Sequence, residues 1–126
     1  MTDSIDRLYV AVLAARNADP AGSRTARLLR AGRSKMAKKL AEEAVEVLID
    51  AVNNNREAVI RESADLIYHL VVLWTASGIL PMDVWREMDR RERQFGIAEK
   101  LLKPELDPEP GRRVVPLGNR RVHKRR

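Results

Sequence analysis

The chain has 126 residues, of which 44% are hydrophobic and 33% are charged, and this balance suits one globular domain. It contains no cysteine, which excludes a disulfide framework, a thiolate metal site and a cysteine nucleophile. The formal net charge is +6, but residues 104–126 hold seven Lys or Arg against three Asp or Glu, so most of the basic character belongs to this tail.

The sequence predicts neither a membrane span nor a signal peptide. No apolar stretch reaches the ~18 residues of a transmembrane helix. The N-terminus has no basic region followed by an apolar run, so the sequence predicts no signal peptide. We therefore expect a cytoplasmic protein with no membrane partner.

Two short helices are predicted first. Asp3 or Ser4 can cap the first helix, and Pro20 and Gly22 interrupt the chain after it. Ser23 can cap a second helix over residues 24–31, with Gly32 closing it. This region is basic, and it could bind phosphate or form a solvated surface. Its arginines are Arg24, Arg27, Arg30 and Arg33.

A long third helix, which Ser34 is predicted to cap, runs to about Val52 and carries an acidic arc. At 100° per residue its carboxylates fall within about 100° of one another. They are Glu42, Glu43, Glu46 and Asp50. An apolar set lies opposite, namely Met36, Leu40, Ala44, Val47, Leu48 and Ala51. Lys35 and Lys39 lie on the acidic arc, where they could contact phosphate. As the alternative, Lys38 and Lys39 could support Glu42 and Glu43 as i,i+4 partners.

The turn at residues 53–55 is short, so the third and fourth helices should be antiparallel neighbours, and Asn55 can cap the fourth. The fourth helix, predicted to end at Gly78, is apolar nearly all round and should be buried. Yet Glu62, Asp65 and His69 share an arc of about 60° on it.

Buried carboxylates need partners, because unpaired burial raises their pKa and neutralises them. Two acidic stripes that face each other across a divalent cation would meet this need. A solvated acidic surface is the alternative. Tyr68 is expected in the core, and His69 is expected to be a hydrogen-bonded core residue rather than a ligand or base.

A fifth helix is predicted from Leu80–Pro81 to near Gly96, with Val84, Met88 and Phe95 on its apolar side. Residues 97–102 can add one turn. The tail from Pro104 is rich in proline and glycine and has no aromatic residue for base stacking. We expect it to be extended or disordered and solvated rather than bound to nucleic acid.

The acidic spacing resembles the ExxE…ExxD signature of the MazG-like all-α nucleotide pyrophosphohydrolases, with Glu43 and Glu46 in one half and Glu62 and Asp65 in the other. Longer stretches resemble phosphoribosyl-ATP pyrophosphohydrolases, and the likeness extends over roughly residues 4–102. These stretches are residues 25–29 with Gly32, residues 38–46 and 62–70, residues 78–79 followed by 83–84, and residues 90–91. One departure is Ala41, where such enzymes often carry glycine.

The resemblance implies an all-α antiparallel helical bundle over residues 1–103, completed by dimerisation. It implies hydrolysis of phosphoribosyl-ATP to phosphoribosyl-AMP and pyrophosphate in histidine biosynthesis, with Mg²⁺ or alternatively Mn²⁺. The matching metal ligands are Glu43, Glu46, Glu62 and Asp65. Glu42 is the candidate for activating water, and the candidates for binding substrate phosphates are Lys35, Lys38 and Lys39.

Three other functions fit parts of the sequence. A related pyrophosphohydrolase could act on another nucleoside triphosphate, and only substrate turnover separates the two. A non-catalytic bundle could bind nucleic acid through its basic tail, and deletion of residues 104–126 would then abolish its function. A structural helical dimer would bind no Mg²⁺ at the acidic stripes.

Overall fold

The computed structural model describes residues 3–95, which form five α-helices and, within that range, no strand. The all-α prediction is confirmed. The helices are α1 (Ser4–Ala15), α2 (Arg24–Ala31), α3 (Arg33–Val52), α4 (Arg56–Ala76) and α5 (Pro81–Phe95). Residues 3–85 form one unit and residues 86–95 belong to another, with the boundary inside α5. The predicted turn at 97–102 and the predicted tail lie outside the described residues.

Three helices begin at the side-chain caps that local sequence predicts. Asp3 Oδ1 accepts from the backbone N–H of residue 6 at 2.8 Å, so Asp3 rather than Ser4 caps α1. Ser23 Oγ accepts from the N–H of residue 26 at 3.1 Å, and Asn55 Oδ1 accepts from that of residue 58 at 3.2 Å. Each cap satisfies one of the amide groups that a helix start leaves without an intrahelical partner.

The predicted cap of α3 is wrong. The helix begins at Arg33, its N-cap is Gly32, and no side chain caps it. Gly32 has φ 99°, a conformation that glycine adopts without steric cost, and the same residue ends α2. The chain therefore passes from α2 into α3 through one residue, and Ser34 already lies inside the helix.

Removal of the N-cap of α4 tests whether the Asn55 side chain stabilises the start of that helix. Asn55→Ala should lower the free energy of unfolding by about 1 kcal/mol, because the N–H of Ala58 loses its acceptor. Asn53→Ala is the matched control, since no hydrogen bond involves the Asn53 side chain among residues 3–95. It should change stability by no more than about 0.5 kcal/mol. Urea unfolding measures both, and equal losses would contradict the cap.

α3 and α4 form the central antiparallel hairpin that was predicted. They are joined by residues 53–55, where Asn54 adopts φ 56°, and both α1 and α2 pack against α4. The core lies among these four helices, and its most deeply buried side chains are Val71 and Val72 of α4. The other buried members of the cluster are Val12, Leu28 and Met36.

The same hairpin leaves a large apolar surface exposed. Four residues of α3 within an arc of about 100° are 52–73% exposed, and we call them the apolar face of α3. They are Val45, Leu48, Ile49 and Val52. On α4, Ile60 and Ile67 are 50% and 40% exposed, so one chain does not bury this apolar helix completely.

The turn from α4 to α5 follows the sequence prediction closely. Helix α4 ends at Ala76, two residues before the predicted end, and Gly78 takes φ 73°. Asp83 Oδ2 accepts from the N–H of Leu80 at 2.9 Å, at the start of α5. Among the described helices, none is by itself long and apolar enough to span a membrane, and only α4 and α5 taken together reach that length and composition.

Candidate metal centre

Three of the four predicted metal ligands come together between α3 and α4. One carboxylate oxygen from each of Glu43, Glu62 and Asp65 lies within 4.8 Å of the other two. Glu62 and Asp65 are three residues apart on α4 and so share one side of that helix. Glu43 reaches them from α3. We call these three residues the carboxylate group.

The carboxylate group fits a hard divalent cation. Mg²⁺ holds oxygen ligands at about 2.1 Å, so two ligands of one ion lie at most about 4.2 Å apart, and small side-chain adjustments close a 4.8 Å group to that size. Glu43 Oε1 is buried and has no hydrogen-bond partner among the described residues. A buried carboxylate oxygen without a donor is costly, and a cation would compensate it.

Glu46, the fourth predicted ligand, lies outside this group but is coupled to it. A hydrogen bond with Glu62 raises the pKa of Glu46 above its ordinary value of 4.5, and the negative charge of Glu62 raises it further. Burial and the charges of Asp50 and Asp65 add to the effect. Crowded carboxylates of this kind favour either a shared proton or a bound cation. The assignment of Glu46 as a ligand stays a prediction.

Glu42, the candidate for activating water, lies on α3 like Glu43 but outside the carboxylate group. Glu42 is 47% exposed, and its Oε1 lies 3.8 Å from the Nζ of Lys39. It lines a concave surface of about 450 Å³ on α3 together with Lys38 and Glu46. Among residues 3–95 it does not belong to the carboxylate group. Lys38 therefore lies beside Glu42, whereas Lys35 and Lys39 line a different recess.

That recess is a pocket of about 350 Å³ formed by α2, α3 and α4. Its charged lining comes from Arg24, Arg27, Lys35 and Lys39, and His69 of α4 also lines it. We call it the basic pocket. Sequence reasoning identified the arginines and the lysines separately, but it did not predict that α2 and α3 would bring them together.

His69 connects the basic pocket to the carboxylate group. It is 3% exposed, as expected of a core residue, but its Nδ1 has no hydrogen-bond partner within the part of the chain that the structure describes. Its Nε2 lies 3.9 Å from Glu43 Oε2. Burial lowers the pKa of His69, and the charge of Arg24 lowers it further, so the imidazole is neutral near pH 7 and the contact is not a strong ion pair.

Tyr68 is the neighbour of His69 on α4, and the centroids of the two rings lie 4.9 Å apart. It packs against the buried core as expected, and its hydroxyl lies 2.6 Å from Thr25 Oγ1, which ties α2 to α4. The sequence did not predict the contact between His69 and Glu43. The available signal was that His69 shares the arc of Glu62 and Asp65, the side of α4 that faces the acidic stripe.

The helical hairpin and its carboxylate group define an all-α protein with a candidate divalent-cation centre. Residues 5–92 match the family described as phosphoribosyl-ATP pyrophosphohydrolase, and the chain belongs to that family.

Curated relatives agree over most of the chain. It is 63% identical over 131 residues to "Phosphoribosyl-ATP pyrophosphatase 2" of Rhodopseudomonas palustris, covering 100% of both chains. It is 69% identical over 103 residues to the protein of the same name from Bradyrhizobium diazoefficiens, covering 82% of this chain and 77% of the relative. A "Phosphoribosyl-ATP pyrophosphatase" of Gluconobacter oxydans is 53% identical over 100 residues, covering 79% and 75%.

Proposed function

We propose that this chain hydrolyses phosphoribosyl-ATP to phosphoribosyl-AMP and pyrophosphate in histidine biosynthesis, with Mg²⁺ or Mn²⁺ as its cation. The observation that carries the proposal is the carboxylate group of Glu43, Glu62 and Asp65. It lies within residues 5–92, the part of the chain that matches the phosphoribosyl-ATP pyrophosphohydrolase family. A basic pocket beside the group supports a phosphorylated substrate.

The carboxylate group is proposed to hold the cation, with Glu46 as a further ligand beside Glu62. When bound, a divalent cation supplies charge neutralisation on phosphate oxygens and lowers the pKa of a coordinated water. The protein's own contribution is to hold several carboxylates in one place before the substrate arrives. The hairpin does so because α3 and α4 each present acidic residues on the sides that face each other.

Glu42 is the proposed general base. Its carboxylate would take a proton from a water that attacks the α–β phosphoanhydride, and pyrophosphate would leave as the bond to its bridging oxygen breaks. Lys39, 3.8 Å from Glu42, can orient that carboxylate and reduce the local negative charge. Lys35, Lys38 and Lys39 are proposed to contact phosphate oxygens of the substrate. Lys38 and Lys39, which lie beside Glu42, would do so at the reacting phosphates, where a positive charge stabilises the additional negative charge of the transition state.

Pyrophosphate release across a nucleotide panel tests this function. We expect phosphoribosyl-ATP to be turned over with the highest kcat/KM, and ATP, dUTP and other nucleoside triphosphates to be at least ~100-fold poorer substrates, because they lack the phosphoribosyl group. A noncanonical triphosphate that outperforms phosphoribosyl-ATP would assign the chain to a related pyrophosphohydrolase. Deletion of residues 104–126 should leave the ranking unchanged.

We further propose that the functional unit is a homodimer that covers the apolar face of α3. Its four large aliphatic side chains are at least half exposed, and exposed patches of this kind usually mark association sites. On the helical wheel Ile49 lies about 20° from Glu42, so the apolar face borders the acidic arc. A second copy seated there would also exclude water from one edge of the site.

A charge placed on the apolar face should dissociate the dimer. Leu48→Glu is expected to shift the mass in solution from about twice the 14.3 kDa chain mass to the monomer value, because association would bury an unpaired carboxylate. Val10→Glu on α1 is the matched control, since Val10 and Leu48 are both 62% exposed. Multi-angle light scattering at micromolar concentration measures both. A monomeric parent protein, or equal effects of the two variants, would contradict the proposal.

A further inference from the structure

The carboxylate group and the basic pocket share a wall in this fold. His69 lines the basic pocket, and its Nε2 lies 3.9 Å from Glu43 Oε2, which belongs to the carboxylate group. A metal ion bound to the carboxylate group and the basic side chains of the pocket would therefore lie on opposite sides of the contact between His69 and Glu43. A ligand with two separate anionic ends could reach both.

The positive charge of the basic pocket is largely uncompensated. Among the residues that the structure describes, neither Arg24 nor Lys35 has a carboxylate within ion-pair distance, and Lys39 has Glu42 at 3.8 Å. Arg27 donates from Nη1 to the carbonyl of Pro20 at 2.8 Å, which places its guanidinium without neutralising it. Arginine binds phosphate through paired N–H donors, so this lining is suited to a phosphate group.

The size of the pocket also limits its ligand. At about 350 Å³ it lies near the lower end of the roughly 300–1,000 Å³ that small-molecule sites occupy. Leu28 and Ala31 supply apolar lining next to the charged groups. A sugar phosphate, with one charged end and one largely neutral ring, matches this combination better than a bare polyphosphate chain does.

We infer that the basic pocket binds the phosphate of the substrate's phosphoribosyl group, remote from the triphosphate, and so distinguishes phosphoribosyl-ATP from ATP. This inference rests on the proposed function. The triphosphate and its cation occupy the carboxylate side, and the second phosphate occupies the pocket lined by Arg24 and Lys35. An ordinary nucleoside triphosphate fills only one of the two sites and leaves the pocket's cations without an anion.

Arg24→Gln and Lys35→Gln test the inference. Both residues are exposed, and Arg24 opens α2, where loss of a positive charge does not weaken the helix dipole interaction. Each variant should raise KM for phosphoribosyl-ATP by about 10-fold or more, the scale of one charge-assisted hydrogen bond. The inhibition constant of ATP against the same reaction should stay within about 2-fold, because ATP lacks the second phosphate.

A second measurement needs no turnover. Ribose 5-phosphate should bind the metal-free protein in a calorimetric or NMR titration, and Arg24→Gln should weaken that binding by about 10-fold or more. Arg30→Gln is the matched control for both measurements. It removes an arginine from the same helix, but Arg30 lines another recess, with Arg16 and Thr75. Its kinetic constants and its ribose 5-phosphate affinity should equal those of the parent protein.

Three results would overturn the inference: an unchanged KM, a parallel rise in the inhibition constant of ATP, or full ribose 5-phosphate binding by Arg24→Gln. The parallel rise would mean that the pocket holds the triphosphate instead. Failure of the proposed function is distinguishable, because the parent protein would then release no pyrophosphate from phosphoribosyl-ATP, and the inference would fall with it.

Discussion

Glu62→Gln and Asp65→Asn are each expected to lower turnover of phosphoribosyl-ATP at least ~100-fold, the scale of losing one electrostatic partner of the transition state. Both changes preserve side-chain shape and remove a charge. The two residues lie with Glu43 in a group 4.8 Å across, so loss of either charge weakens cation binding directly. Steady-state pyrophosphate release measures the effect.

Thermal melts separate this role from a structural one. The pKa of Glu46 is raised first by a hydrogen bond with Glu62 and then by the negative charge of that residue, as expected of crowded carboxylates without a bound cation. A carboxyl whose pKa is raised on folding disfavours the folded state as pH rises and it ionises. The Glu62→Gln variant should therefore melt at an equal or higher temperature without Mg²⁺, and should gain less from added Mg²⁺ than the parent does.

Glu57→Gln is the matched control on the same helix. Its side chain is 74% exposed and lies 3.3 Å from Arg56, outside the carboxylate group. Its turnover and its response to Mg²⁺ should match those of the parent protein. Parental turnover in Glu62→Gln or Asp65→Asn, or outright unfolding of both variants, would refute their assignment as ligands.

Exhaustive removal of divalent cations should abolish pyrophosphate release, and Mg²⁺ or Mn²⁺ should restore it. The reason is the donor set, since the carboxylate group offers only oxygen ligands, which suit hard cations. The chain has no cysteine and two histidines, so a chelator selective for Zn²⁺ should have no effect.

Mg²⁺ binding can be followed without substrate. Added Mg²⁺ should raise the melting temperature of the parent protein in a concentration-dependent way, because a ligand that binds only the folded state stabilises it. The melting temperature of the Asp65→Asn variant should respond less to the same additions. Full turnover after complete removal of divalent cations would end the metal hypothesis, whatever the melts show.

Much of the fold could be predicted because its signals are local. Ser23 and Asn55 cap helices because a hydroxyl or amide at that position reaches an N–H three residues later, and this needs no tertiary contact. The hairpin of α3 and α4 follows from periodicity and a short turn. Ser34 was predicted wrongly because Gly32, with φ 99°, lets α3 start two residues earlier than the polar side chain indicated.

The exposure of α3 could not be read from its pattern. An apolar arc is the same in sequence whether it faces the core or a partner, so Leu48 looked like a residue of the buried side and is 62% exposed. The direction in which a helix turns its apolar residues depends on which neighbours pack against it. The described chain supplies α2 and α4 as neighbours of α3, and they do not cover this face.

The sequence by itself determined the helices and the presence of acidic residues on both long helices. It also determined that Glu62 and Asp65 lie on the same side of α4, because spacing along one helix sets which side chains share a side. Tertiary structure alone decided that Glu43 rather than Glu46 joins the carboxylate group, that His69 contacts Glu43, and that Arg24 and Lys35 line one pocket. These outcomes depend on how each helix is rotated about its axis when it packs. That rotation is set by contacts between residues far apart in the chain, which periodicity does not contain.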